Sequence, residues 1–344
     1  KFNLAVELTR ITFPFLLFVS LSSFFSGILN SNNKFAAAAA APIILNIVLI
    51  ISLILSFIFE LNYAQQLSYG VTIAGLIQLL FLIYATKKFY TPELNFNFKI
   101  NGKLKFFFKK LLPSILSSGV TQINILVGTI IASFHTGAVS YLYYADRVYQ
   151  INLAIAGIAV GTVSLPALSK AFKTKNEKKI SSIQSKSFEL SLLFSVPASL
   201  GLILASYEIV NALFGYGSFS LKDVEMTAVA LEYFGYGVPA FALIKILSNF
   251  YFARDNTKTP FYISTFIVIL NILISVSFFN KIGFVIIPLA TSISTWVGVI
   301  IYIYLLNRKK ILLLKNQFMM NFIKIIISTI LMSLILFFSL DWFA

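Results

Sequence analysis

Runs of about twenty apolar residues recur from one end of this chain to the other, and no other feature limits its fold so tightly. A helix of that length crosses the hydrocarbon core of a bilayer, and there every backbone polar group must find its partner inside the protein. Ten such spans are expected, over residues 11–30, 36–58, 64–86, 113–134, 148–166, 187–206, 226–250, 259–279, 282–306 and 321–340. Barrel strands are about ten residues of alternating polarity, whereas these runs are longer and apolar on every face. Of 344 residues, 58% are hydrophobic and only 11% charged, so the expected fold class is an all-α polytopic membrane protein.

A net charge of +15 would suggest nucleic acid for a soluble chain, but in a membrane chain the place of each Lys and Arg counts for more than their sum. The segments after the first, third, fifth, seventh and ninth spans hold twenty of the 27 basic residues, including seven lysines from Lys87 to Lys110. The intervening segments hold only Arg147, Lys222 and Lys281. By the positive-inside rule the first set of loops faces the cytoplasm, so an inner-membrane protein is expected and a nucleic-acid partner is not. There is no Cys, hence no disulfide framework or thiolate metal site. The chain begins at Lys1 with no leader pattern, and its first span runs inward, so a preceding segment is expected.

An offset of 225 residues aligns Pro14 with Pro239, Ser23 with Ser248, Phe25 with Phe250, and Ile44-Leu45-Asn46-Ile47 with Ile269-Leu270-Asn271-Ile272. The aligned spans also run in the same direction by the charge count, as a parallel repeat about the membrane normal requires. Two pseudo-symmetric lobes are therefore expected. Residues 1–86 would form three helices of an N-terminal lobe, 87–112 a basic cytoplasmic linker, amphipathic at 103–110, and 113–306 a six-helix C-terminal lobe. Residues 307–344 would be a cytoplasmic connection and one further helix.

Chemistry-bearing residues are few. None of the twelve acidic residues is expected in the middle of a span, with Glu189 and Glu232 near helix starts, so no proton relay is visible. The lone His135 has an interfacial position as its plain reading. Asp146 and Arg147 stand at the expected outer start of the fifth span, on the side that otherwise avoids positive charge. They read either as a helix cap with a snorkelling Arg or as a cavity guanidinium whose fork fits a phosphate, with Ser140 and Gln150 as polar neighbours. Lys245 lies inside the seventh span, where snorkelling and substrate binding both remain open. Arg254 and Asp255 occupy a loop where capping and orientation explain most of the composition, and a gate is the alternative. Asn46 and Asn271 are expected to face protein, as packing glue or as cation ligands. Pro42, Pro197, Pro239 and Pro288 are expected inside helices; Pro14, Pro113, Pro166 and Pro260 at their ends.

Several motifs in order carry a resemblance. They are Thr12-Phe13-Pro14, Ser26-Gly27-Ile28-Leu29-Asn30, Ala41-Pro42-Ile43-Ile44-Leu45-Asn46, Tyr144-Ala145-Asp146-Arg147, Gly161-Thr162 with Leu165-Pro166, Phe214-Gly215-Tyr216-Gly217, and Phe252-Ala253-Arg254-Asp255 with Thr257-Lys258-Thr259-Pro260. Together they resemble the MurJ (MviN) lipid II flippases of the MATE-like MOP exporter superfamily. The resemblance implies a non-enzymatic flippase of undecaprenyl-pyrophosphate-linked muropeptide. Two lobes would rock about a cationic cavity that holds Arg147, with Asp146 and Ser140 beside it. It implies no cofactor, the membrane potential or an ion as energy source, and lipid II and membrane lipids as partners. A monomer beside the cell-wall synthesis machinery is expected. Family members that bind sodium carry Asp where this chain has Gly128 and Ser275, which speaks against sodium here although Asn271 is kept. The rival readings are a polysaccharide-precursor or multidrug exporter of the same superfamily, and a membrane enzyme acting on polyprenyl phosphates. Drug exporters of cations favour the intramembrane carboxylates that are scarce here.

Overall fold

A computed structural model of the chain describes residues 2–32, 34–90, 122–315 and 317–343, with Gly102, Phe108 and Gly119 between them. The basic linker expected over 87–112 lies outside the described residues beyond Tyr90, apart from Gly102 and Phe108. The expected fourth span is likewise described only at Gly119 and from Gln122 onward. Among the described residues there are helices and no strand. Seven segments among the described residues are long and apolar enough to cross a membrane, and a bent pair makes eight. That number differs from ten for two reasons. Lys258–Arg308 holds two expected spans in one segment, and the described part of the fourth, Gln122–Ser133, is short. The backbone divides into two compact units, Lys1–Ile100 and Asn101–Ala344.

The first unit contains α1 (Phe2–Thr12), α2 (Pro14–Ser31), α3 (Phe35–Ile58) and α4 (Tyr63–Thr86). Pro14 starts α2 at a position where its missing N–H is no loss. Asn62 caps α4 by accepting from the amides of Ala64 and Gln65. With no hydrophobic effect to drive helices together in lipid, close backbone approach does the work, and α4 supplies small residues for it. A methyl on Gly75 would stand 2.6 Å from Phe15 of α2, and one on Gly70 would meet Ser52 of α3. The Thr72 hydroxyl donates across to the Ile11 carbonyl at 2.6 Å. Asn46 departs from expectation, because it is exposed on α3. At about 100° per residue it lies roughly a third of a turn from the Ala41, Ser52 and Ser56 face that packs inward.

The second unit contains α5 (Gln122–Ser133), α6 (Ala138–Leu153), α7 (Val160–Lys173), α8 (Glu177–Leu204), α9 (Ser206–Phe214), α10 (Leu221–Gly235), α11 (Val238–Phe252), α12 (Lys258–Ile282), α13 (Ile286–Arg308) and α14 (Gln317–Phe343). A π-helical turn, Ala154–Ala159, joins α6 to α7, so Ala138–Lys173 is one continuous span. The fifth span thus begins ten residues earlier than expected, at Ala138, just after the N-cap Gly137 with its positive φ of 84°. Pro166, expected at a helix end, lies inside α7. Helix α8 also starts early, at an Asn176 cap that accepts from the Lys179 amide. Glu189 therefore sits mid-helix rather than near a start, and Glu232 lies in the last turn of α10.

Helices α10 and α11 are the bent pair, turning by 42° at Tyr236–Gly237, just before Pro239. A proline cannot donate to the preceding turn, and the carbonyls freed by the bend need partners in a medium without water. Neighbouring side chains supply them. The Ser199 hydroxyl of α8 donates to the Gly235 carbonyl at 2.7 Å, Ser292 of α13 to Tyr233 at 2.8 Å, and the Trp296 indole to Tyr236 at 2.9 Å. Gly237 is required there, since a methyl would collide with the Phe241 ring and the Ser292 hydroxyl. The offset of 225 carries the α1–α2 break at Phe13 onto Val238, beside this bend.

Two clusters of buried side chains hold the bundle. One gathers Leu168, Phe188, Leu247, Phe250, Tyr251 and Tyr302, the other Tyr141, Val210, Leu231, Phe234 and Ile286. Residues 311–315 form an extended strap laid along α8. The fully buried Gln184 donates to the Ile311 carbonyl at 3.1 Å and accepts from the Leu313 amide at 2.8 Å. Ser185 accepts from the Lys315 amide at 2.9 Å.

Candidate functional site

Helix α6 carries most of the singled-out residues. Asp146 and Arg147 are its ninth and tenth residues, so Arg147 lies roughly 13 Å along the axis from the helix start. The capping reading of Asp146 is thereby overturned, because the N-cap is Gly137 and a carboxylate two turns further in reaches no free helix amide. Asp146 is half-buried and accepts a hydrogen bond from the Gln150 side-chain amide, one turn on. Arg147 is exposed. Its guanidinium lies over the Tyr143 ring, 4.8 Å from the centroid, and donates to the Tyr143 hydroxyl at 3.4 Å. That geometry orients the guanidinium by stacking and leaves most of its N–H donors free.

Ser140 shares the face of Arg147, seven residues and roughly 10 Å away along the axis. It lines a cleft of about 500 Å³ with Tyr141, Tyr144, Tyr216, Phe219 and Asp223. The cleft owes its walls to packing between distant segments. Tyr144 sits 4.9 Å from Phe214 and 5.3 Å from Phe219, ring centre to ring centre, and the Tyr141 hydroxyl donates to Asp223 at 3.0 Å. Asp223 is itself fixed by a capping box with Ser220 at the start of α10. Tyr141, Tyr143 and Phe219 were not singled out from sequence, whereas Tyr144, Phe214 and Tyr216 entered it only as members of the resemblance motifs. The run Tyr141 to Tyr144 followed by the acid-base pair was the available signal.

Lys245 is exposed on α11, with its stem beside Gly157 of the π-helical turn. Gly157 stands ten residues beyond Arg147, so the Lys245 stem meets the span roughly 15 Å along its axis from the Arg147 backbone. Close contact there needs glycine, since a methyl on Gly157 would lie 3.1 Å from the Ala242 backbone. One turn on, Asn249 of α11 donates to the Gly161 carbonyl at 2.8 Å.

The Arg254 guanidinium stacks on Phe172 at the end of α7, 4.3 Å from the ring centroid. Partial burial holds its pKa below that of a free guanidinium. Asp255 has a positive φ of 57°, and Asn256, one residue before the Thr257 N-cap of α12, accepts from the Thr259 amide at 3.1 Å. Asn271 is buried and bonds to Thr291 of α13 and Ser275 of its own helix. His135 is exposed, with its ring 5.1 Å from that of Phe284. Among the described residues no three His, Asp or Glu side chains gather as a metal site.

Comparison with known proteins places this geometry. The sequence model described as "Lipid II flippase MurJ" matches residues 1–344. A relative from Rickettsia prowazekii (strain Madrid E), named "Probable lipid II flippase MurJ", is 38% identical over 321 residues, covering 90% of this chain and 61% of its own length. A relative of the same name from Buchnera aphidicola subsp. Acyrthosiphon pisum (strain APS) is 34% identical over 344 residues, 98% of this chain and 66% of its own. The chain thus spans about three fifths to two thirds of the length of these curated relatives. A solved structure titled "Lipid II flippase MurJ, inward closed conformation" superposes with a TM-score of 0.82 at 29% identity, over 97% of this chain and 68% of that one. An inward-facing MATE multidrug transporter of the MOP superfamily superposes at 0.76 with 14% identity, over 90% of this chain and 72% of that one, a likeness of fold alone. Apolar spans, the α6 motif and the full-length match agree: the chain is a multi-pass membrane protein and belongs to the MurJ lipid II flippase family.

Proposed function

We propose that the protein to which this chain belongs moves lipid II across the inner membrane by alternating access, as a transporter and not an enzyme. The observation that carries the reading is the match of all 344 residues to the flippase family. The α6 geometry supports a role for Arg147 in that transport. A guanidinium inside a span and turned toward acyl chains is costly, so an exposed one favours water or an anionic headgroup. Its free N–H fork suits a pyrophosphate, and Coulomb attraction to a diphosphate grows as the surrounding dielectric falls. Ser140 contributes a hydroxyl on the same face, and the Asp146–Gln150 pair packs beneath it. Lys245, Arg254 and Asp255 serve the cytoplasmic half of the path, the last two at its gate.

The orientation follows from charge. The loops after α2, α4, α7, α11 and α13 face the cytoplasm. The membrane potential or an ion drives the cycle, and the protein works as a monomer beside the cell-wall synthesis machinery.

The test is complementation. The full-length gene restores growth to a bacterial strain depleted of its own lipid II flippase, and Arg147→Ala abolishes the rescue at equal membrane abundance. Failure of the wild-type gene overturns the lipid II reading. Normal growth with Arg147→Ala removes that residue from the substrate path.

A further inference from the structure

The family resemblance implies carboxylates at positions 128 and 275 in members that bind sodium, and here Asn271 bonds to Thr291 of α13, Ser275 bonds to Asn271, and Gly128 faces the Ile287 side chain. Asn271 donates from Nδ2 to the Thr291 hydroxyl at 2.9 Å, and Ser275 donates to Asn271 Oδ1 at 3.2 Å. The Thr291 hydroxyl in turn donates to the Ile287 carbonyl at 2.8 Å. Gly128 faces the same turn from α5, since a methyl there would stand 3.8 Å from Ile287 Cγ2, ordinary van der Waals contact. Gly128 thus stands beside the side chain of the residue whose carbonyl ends the chain of hydrogen bonds.

The donor set fails as a sodium site on two counts. A hard cation takes oxygen ligands, and burying it without a compensating negative charge is costly. Here neither Gly128 nor Ser275 supplies a carboxylate, and Asn271 and Ser275 are 6% and 1% exposed. The oxygens that would turn to a cation are also engaged. Asn271 Oδ1 accepts from Ser275, the Thr291 hydroxyl accepts from Asn271, and the Ile287 carbonyl accepts from Thr291. Opening the cluster would break a chain of buried hydrogen bonds with no charge to replace them.

We infer that, where the family resemblance implies a sodium site, this chain holds a neutral hydrogen-bonded clasp that ties α12 to α13 without an ion, so that the second unit is organised independently of sodium. The clasp runs Ser275 to Asn271 to Thr291 to Ile287, and the two absent carboxylates, at 128 and 275, are what separates it from a cation site. The inference concerns ion binding alone and stands apart from the identity of the transported lipid.

Purified full-length protein decides it through two readouts that need no transport. Equilibrium binding of radioactive sodium to the wild type is expected to show no saturable site up to tens of millimolar. Its thermal midpoint is expected to agree in sodium chloride and in choline chloride at equal ionic strength. Saturable sodium binding to the wild type, or a rise of several degrees specific to sodium, overturns the inference whatever the variants do. The double variant Gly128→Asp with Ser275→Asp is expected to gain saturable sodium binding and a sodium-specific rise of several degrees, as a ligand that binds only the folded state must produce. Ser275→Asp alone serves if the double variant does not fold, with a weaker gain. A folded double variant that binds no sodium overturns the assignment of the two positions.

Discussion

Removing the Gln184 side chain should loosen the strap between α13 and α14 more than any other single truncation on α8. Gln184 has no exposed surface, and its amide serves the backbone of residues 311–315 much as a neighbouring strand would, donating at 3.1 Å to Ile311 and accepting at 2.8 Å from Leu313. Gln184→Ala leaves a carbonyl and an amide without those partners. Each buried unpaired group costs about 1–3 kcal/mol, and the half-buried Leu313 lets water recover part of that, so the expected loss is about 3 kcal/mol. For a domain of some 150–250 residues a loss of that size lowers the thermal midpoint by about 6–12 °C. Gln184→Met keeps the volume while removing the bonds, so its loss should nearly equal that of Ala. Thermal unfolding of purified protein gives the first number, and hydrogen exchange at the Leu313 amide gives a local one, with protection falling in both variants. A midpoint within about 2 °C of wild type, with Leu313 still protected, refutes the reasoning.

Gly237→Ala should destabilise the protein by about 1–3 kcal/mol, because its methyl enters the space of Phe241 and Ser292, and a melting curve reads the loss directly. Trp296→Phe leaves the Tyr236 carbonyl without its indole donor and should cost about 1–3 kcal/mol by the same measurement; no change at all would mean that the bend needs no partner there. Arg147→Lys keeps the charge and loses the planar fork, so growth rescue should fall well below wild type yet stay above Arg147→Ala. Equal rescue by Lys and Arg would show that charge alone matters.

Span positions were legible because lipid imposes one rule on every residue within it. The runs at 36–58, 64–86 and 259–279 reappear as α3, α4 and α12 to within a few residues. Helix ends were less legible where the helix leaves the apolar region. Residues 177–186 are polar, yet they continue α8, because Asn176 caps them and the strap packs on them. The same misplacement put Asp146 at a helix start, and with it the capping reading that the fold overturns. Asn46 and Asn271 match in the repeat, yet one is exposed and the other bonded between helices, since the repeat fixes register and not the neighbours.

By itself the amino-acid order determined the membrane environment, the helical class and the motif pair at 146 and 147, all properties of local composition and periodicity. Tertiary structure alone decided which polar groups meet. The stacking of Arg147 on Tyr143 needs only one helix turn, but the clasp from Ser275 to Ile287, the three donors at the α10–α11 bend and the strap on Gln184 each join residues that the sequence separates. In a medium without water an unmade hydrogen bond is expensive, so those partners are dictated by packing, which no linear pattern records.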